Sequence, residues 1–236
     1  MRMEPSKQGG RRIKRKVLTL LKSKDFDRAL KEMGRLPPLG VINSLFSFLY
    51  NRDEAIRWAA VVAMGAMVGK LADEDMEAAR VIMRRLMWNL NDESGGIGWG
   101  SPEAMGEIMA GHEGLAKEYA HILLSYTRED GNYLENEGLQ RGLLWGIGRL
   151  SEVRPELVKD AGAYLMPYTR SPDACVRGLS AWVIGLLGVE HARSILELLT
   201  GDNEEFKMLQ DHRVVVRRIN DLAREALERL PSTGSI

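Results

Sequence analysis

The residue types able to do chemistry crowd into one stretch of the chain. Residues 91–102 read Asn91-Asp92-Glu93-Ser94-Gly95-Gly96-Ile97-Gly98-Trp99-Gly100-Ser101-Pro102, and Glu103, Glu107, His112 and Glu113 follow closely. Glycines let backbone N–H groups approach a ligand, and a helix starting near Ser101-Pro102 would present an N-terminus that favours anions. The segment therefore suits a binding loop around Trp99, or else a structural irregularity with Trp99 packed inward. No strand pattern precedes the glycines, which excludes a dinucleotide fingerprint. Glu103 and Glu107 lie four apart on one helix face, and like charges so placed repel by about 0.2–0.5 kcal/mol unless a cation intervenes. With Glu93, His112 and Glu113 they could bind a metal ion or a basic peptide; the alternative is a solvated acidic face beside a turn.

Other constellations carry less. Glu118 and His121 have the Glu-x-x-His spacing of di-iron bundles. On a helix, though, Leu115, Tyr119, Leu123 and Tyr126 gather on one face while Glu118 and His121 point away, so inward ligation is not expected. Trp88 lies off the apolar stripe of its helix, beside Arg84 and Asn91, as an exposed contact anchor or as a core residue against the next helix pair. The run Arg11-Arg12-Ile13-Lys14-Arg15-Lys16 could touch nucleic acid or an acidic partner, or form the solvated face of a first helix. Cys175 has no partnered histidine pattern and reads as a small apolar residue. No Ser/His/Asp set, metal-ligand spacing or P-loop stands out, so no catalytic residue, metal ligand or cofactor is predicted.

Composition limits the function further. Basic and acidic residues number 33 each, so whole-molecule steering toward nucleic acid or membrane is not indicated. A single cysteine rules out a disulfide framework within the chain and fits a reducing compartment. The N-terminal segment lacks the apolar run of a signal peptide, and no stretch reads as a membrane span, so a cytoplasmic location is expected.

The elements that would hold these residues repeat. Ile56, Trp58 and Ala63-Met64-Gly65 recur as Ile97, Trp99 and Ala104-Met105-Gly106. Further copies run from Leu139-Gln140-Arg141 to Trp145 and Gly148, and from Val176-Arg177-Gly178 to Trp182 and Gly185. Each copy has apolar residues at three- and four-residue spacing, and a second amphipathic segment follows it, giving a helix–turn–helix unit. Trp145 and Trp182 occupy equivalent positions and are expected in the core. Asp53-x-x-x-Arg57 with Ala59-Ala60, and Asp173-x-x-Val176-Arg177 with Gly185-Leu186-Leu187-Gly188, resemble the HEAT family in its short phycobilisome-lyase-type form. The resemblance covers residues 25–230. It implies an all-α, right-handed α-α superhelix, a HEAT-like solenoid of about five helix pairs plus terminal helices. It also implies Asp/Arg ladders between repeats and second helices lining a concave surface. Gln140 and Gly98 stand where arginine is expected, which puts the ladder in doubt at those copies. One HEAT-type enzyme, deoxyhypusine hydroxylase, holds iron with several His-Glu dyads; this chain has only His112-Glu113.

The layout that follows is a disordered arm at 1–9, one repeat domain at 10–230 and a frayed tail at 231–236. Helices are expected at 10–22, at 25–35 with 38–50, 53–69 with 73–91, 101–110 with 113–127, 135–150 with 155–169 and 172–187 with 189–200. A charged helix at 212–230 would close the stack. The leading functional expectation is a non-enzymatic scaffold that binds a protein partner on its concave helices and the 91–102 loop, through Trp88, Glu93, Ser94, Trp99, Ser101, Glu103, Glu107, His112 and Glu113. The alternatives are a metal-dependent or chromophore-handling enzyme with its site near 93–113, and nucleic-acid binding through a basic surface.

Overall fold

The computed structural model describes residues 7–91 and 98–231. The chain divides into two compact units, Met1–His112 and Glu113–Ile236. The first holds α1 (Lys7–Leu21), α2 (Phe26–Met33), α3 (Pro38–Phe46), α4 (Glu54–Glu74), α5 (Met76–Leu90) and α6 (Ser101–Gly111). The second holds α7 (Glu113–Ser125), α8 (Glu137–Val153), the single turn α9 (Gly162–Leu165), α10 (Ala174–Leu187), α11 (Arg193–Leu199), strands β1 (Glu205–Gln210) and β2 (Arg213–Arg218), and α12 (Ile219–Arg229). The predominantly helical character matches the expected all-α class. Residues 7–9, read as part of an arm, are the first turn of α1.

Helix starts follow the capping chemistry of the sequence. The side chains of Asp25, Asp53, Asp75, Asn136 and Asp173 each accept a hydrogen bond from a backbone N–H in the first turn of α2, α4, α5, α8 and α10. Such a cap stabilises a helix by about 1 kcal/mol. Pro37-Pro38 opens α3 with proline at its first position, where the missing N–H costs nothing. Helix α10 ends on Gly188 in the left-handed region at φ 63°, and Val189 N–H donates back to the Ile184 carbonyl at 3.2 Å.

Helix α4 is apolar nearly all round because α3, α5 and α6 all pack on it. It is the one described helix long and apolar enough to cross a membrane, yet most of that length is buried among its neighbours. The recurring glycines are contact points between helices. A Cβ on Gly65 of α4 would sit 2.6 Å from Glu107 Cγ of α6, and one on Gly148 of α8 would sit 2.0 Å from the Trp182 ring of α10. Gly185 of α10 meets Ala226 of α12 in the same way, at 2.6 Å. In each case the missing side chain lets a later helix of the same unit seat itself. Trp145 and Trp182 are buried, as their repeat positions predict.

The ladder joins repeats within the second unit. Arg141 forms a bidentate pair with Asp173, the cap of the next helix, and Arg177 reaches Asp202 at 2.8 Å and the carbonyls of Ser171 and Pro172 at 2.8 and 2.9 Å. Burial works to raise the Asp173 carboxyl, but hydrogen bonds from Arg141 and the Val176 amide outweigh it and hold the group below its ordinary value. Gln140 does not break the ladder, because Arg141 carries that rung.

Two expected helices are different structures. Residues 155–169 form 3-10 turns at Pro155–Leu157, Lys159–Ala161 and Pro167–Arg170 around α9. Each proline lacks an N–H and starts a turn afresh rather than continuing a helix. The expected helix at 212–230 begins only at Ile219. Before it, β1 and β2 pair antiparallel from Glu205↔Arg218 to Gln210↔Arg213. The connecting residues Asp211 and His212 both take positive φ, 48° and 59°, the signature of a two-residue hairpin turn. Phe206 seats its ring on Gly178 of α10, and Trp145 Nε1 donates to the Leu209 carbonyl at 2.9 Å. Tertiary packing of β1 thus fixes a hairpin where local charge periodicity suggests helix.

Candidate functional site

In the first unit, the residues singled out around the glycine-rich segment separate. Glu93 and Ser94 lie outside the described residues. Gly100 precedes α6 at φ 77°, and a Cβ there would lie 2.6 Å from the Leu49 carbonyl oxygen, so both conformation and close packing demand glycine. Trp99 beside it is part-exposed. Ser101 is fully buried, and its Oγ has no hydrogen-bond partner among the described residues. Although part of Glu103 reaches the surface, its Oε2 is shut off from water and likewise has no such partner. Burial pushes the Glu103 carboxyl up to about 7, against the opposing pull of its own backbone amide and of Arg57. Glu107 lays its stem on Gly65. His112 places Nε2 3.7 Å from Asp73 Oδ1, while Glu113 pairs with Lys117 at 2.5 Å. Among the described residues no three His, Cys, Asp or Glu side chains come together in a way that could hold a metal ion.

Trp88 resolves the two readings of its position. It is 75% exposed, and Val81, two turns earlier on α5, is 51% exposed. The cations beside them already have partners. Arg84 pairs with Glu77 at 2.6 Å, and Arg85 donates to Asn43 Oδ1 at 2.8 Å while lying 3.8 Å over the Phe46 ring. An apolar ridge with fixed charged flanks results. On α1, Arg11, Lys14, Arg15 and Leu18 line a shallow recess with Phe48, whose ring centre is 5.5 Å from Lys14 Nζ.

The second unit contains an open cavity of about 650 Å³ that the sequence reading misses. The loop 126–136 forms one wall, and the 3-10 turn with the approach to α10 forms the other. Gln140 of α8 pins the loop by donating from Nε2 to the Leu134 carbonyl at 2.8 Å and to Tyr133 Oη at 3.3 Å. Tyr168 pins the other end, its Oη donating to the Thr127 carbonyl at 3.1 Å. Burial pushes the Tyr168 phenol above its ordinary range, and nearby Tyr133 and Glu129 push it further. Tyr133, Tyr164 and Tyr168 line the cavity with Glu129, Asp130, Glu135 and Glu137, against one arginine, Arg128. Arg128 donates to both carboxylate oxygens of Asp130 at 2.9 and 2.6 Å, and its guanidinium lies 5.0 Å from the Tyr164 ring centre. One sequence signal points here: four of the chain's six tyrosines fall between Tyr126 and Tyr168.

No protein-family model matches the chain. An uncharacterized protein of Archaeoglobus fulgidus is 31% identical over 123 residues, which is 50% of this chain and 56% of that protein. The match thus spans about half the length of that relative. Among solved structures, a designed armadillo repeat protein in complex with the peptide (KR)4 superposes with a TM-score of 0.60 at 16% identity, covering 97% of this chain and 95% of the other. A second designed armadillo repeat protein gives 0.58 at 15% identity, with 97% and 96% covered. At these identities the likeness establishes the fold, an all-α helical-repeat fold.

Proposed function

We propose that the protein is a non-enzymatic interaction scaffold that holds a polypeptide partner on exposed helix surfaces, with α5 contributing the principal contact in the first unit. The observation that carries this reading is Trp88, a large aromatic three-quarters exposed and aligned with Val81. Leaving an indole in water is unfavourable, and aromatics so placed dominate the energetics of protein contacts. The flanking arginines already have partners and form a polar rim around the ridge. Trp99, part-exposed just before α6, is a second candidate contact in this reading. A designed armadillo neighbour bound to a peptide lends support to a polypeptide ligand. The HEAT resemblance accords with such a role, and a reducing, cytoplasmic setting suits the single cysteine.

The test is quantitative capture from native lysate with wild type and Trp88→Ala. A partner whose recovery falls at least about ten-fold with the variant, while the melting temperature stays unchanged, supports the reading. Equal recovery of every captured protein by both forms rejects α5 as the contact.

A further inference from the structure

We propose that the 127–172 cavity of the second unit is a recognition site for an arginine side chain within a basic polypeptide segment. The inference deepens the scaffold reading by giving its ligand a chemistry, and rests on that reading only for the ligand being a polypeptide.

The charge balance of the lining decides the ligand class, because Glu129, Asp130, Glu135 and Glu137 face a single arginine, Arg128. Several of its donors are held by the protein itself. Arg128 gives two of its N–H groups to Asp130, Tyr168 gives its hydroxyl to Thr127, and Gln140 gives its amide to Leu134 and Tyr133. Thr127 donates its own hydroxyl to the Leu124 carbonyl at 2.7 Å. The acceptors are not committed: Glu129, Glu135 and Glu137 form no salt bridge among the described residues. A phosphate or carboxylate ligand would meet acceptors and negative charge. A group made only of donors and carrying positive charge fits that excess of carboxylates, and guanidinium and ammonium are the side chains of that kind.

Arginine is favoured over lysine by the aromatic walls. The cavity already accommodates one guanidinium, since Arg128 lies over Tyr164 and grips Asp130 with two parallel N–H bonds. Tyr133, 39% exposed, offers a further ring at the mouth. A planar cation can stack on such a ring and present a fork to the flanking carboxylates at once; a compact ammonium can do only one of these well.

The probes are short fluorescein-labelled peptides with two arginines in a glycine–serine background, and matched peptides with lysine or citrulline in their place. Binding is read by fluorescence anisotropy at about 50 mM salt, where rim charges count. The arginine peptide binds, lysine weakens it, and neutral citrulline weakens it about ten-fold or more. Glu129→Gln with Glu135→Gln, and separately Tyr133→Leu, each weaken the arginine peptide about five-fold. Leu198→Ser, at an exposed position of α11, leaves it unchanged. All four substituted positions are at the surface, and far-UV circular dichroism checks the fold. The inference is overturned if citrulline binds as well as arginine, if both cavity variants bind like wild type, or if the arginine peptide does not bind at millimolar concentration. A Trp88-dependent partner that survives any of these results leaves the scaffold reading standing, and loss of that partner with the peptide data intact sinks only the α5 contact.

Discussion

Replacing Glu103 by glutamine tests how this fold handles a carboxyl at the start of α6. With its carboxyl raised from 4.5 to about 7 in the native state, the folded protein holds a proton that the unfolded chain has released. Between these two values the native state binds more protons, so stability falls as pH rises. Below 4.5 both states are protonated and the penalty vanishes; above 7 both are ionised and it is complete. A shift of about 2.5 units corresponds to roughly 3 kcal/mol. Glutamine keeps the shape and removes the charge. Its buried amide brings a desolvation cost of about 1–3 kcal/mol, but that cost is the same at every pH. The expected result is therefore a difference in slope. Relative to wild type, Glu103→Gln gains roughly 3 kcal/mol between pH 4.5 and pH 8 in urea titrations followed by circular dichroism. Other carboxylates titrate alike in both proteins and cancel. A constant difference across that range would mean the carboxyl remains solvated, and would refute the buried-acid argument.

Two further outcomes concern the second unit. Gly178→Ala places a Cβ 2.0 Å from the Phe206 ring, so β1 must shift; a loss of about 1–3 kcal/mol and faster hydrogen exchange over 205–218 are expected, and unaltered exchange there would contradict the packing. Arg177→Met removes the cation shared by Asp202, Ser171 and Pro172, leaving a largely buried carboxylate without its partner; about 2–4 kcal/mol of stability should go, and a change under about 0.5 kcal/mol would show the ladder to be ornamental.

What the sequence shows is what is local. Asp25, Asp53, Asp75, Asn136 and Asp173 mark their helices because a cap needs only the residues beside it. The glycines at 65, 148 and 185 recur because each seats the next first helix, and that packing demand repeats with the fold. The hairpin is hidden because its stability comes from Phe206 on Gly178 and Trp145 on Leu209, contacts 28 and 64 residues apart. Its turn, Asp211-His212, carries no glycine to announce positive φ. The candidates at 107–113 are legible as residue types, but their side chains turn to separate neighbours: Glu107 to Gly65, His112 to Asp73, Glu113 to Lys117. The cavity was missed because its walls are 3-10 turns and loop, which have no periodicity to read.

The irregular position at Gln140 shows how a repeat can give up a charge while keeping its structural role. Its counterpart in the next copy, Arg177, spends its charge on Asp202 and its N–H groups on two carbonyls. Gln140 is also buried and also donates to a backbone carbonyl, Leu134, so the structural part of the task is kept. What is dropped is the charge. An arginine there would set a fixed cation among Glu129, Glu135 and Glu137 and cancel much of the field they create. Glutamine holds the loop in place without adding a second cation beside Arg128, and Arg141, one residue on and within the field of Glu137, takes over the rung to Asp173. The rung to Asp173 is kept, and the cavity keeps its excess of carboxylates for the arginine ligand proposed for it.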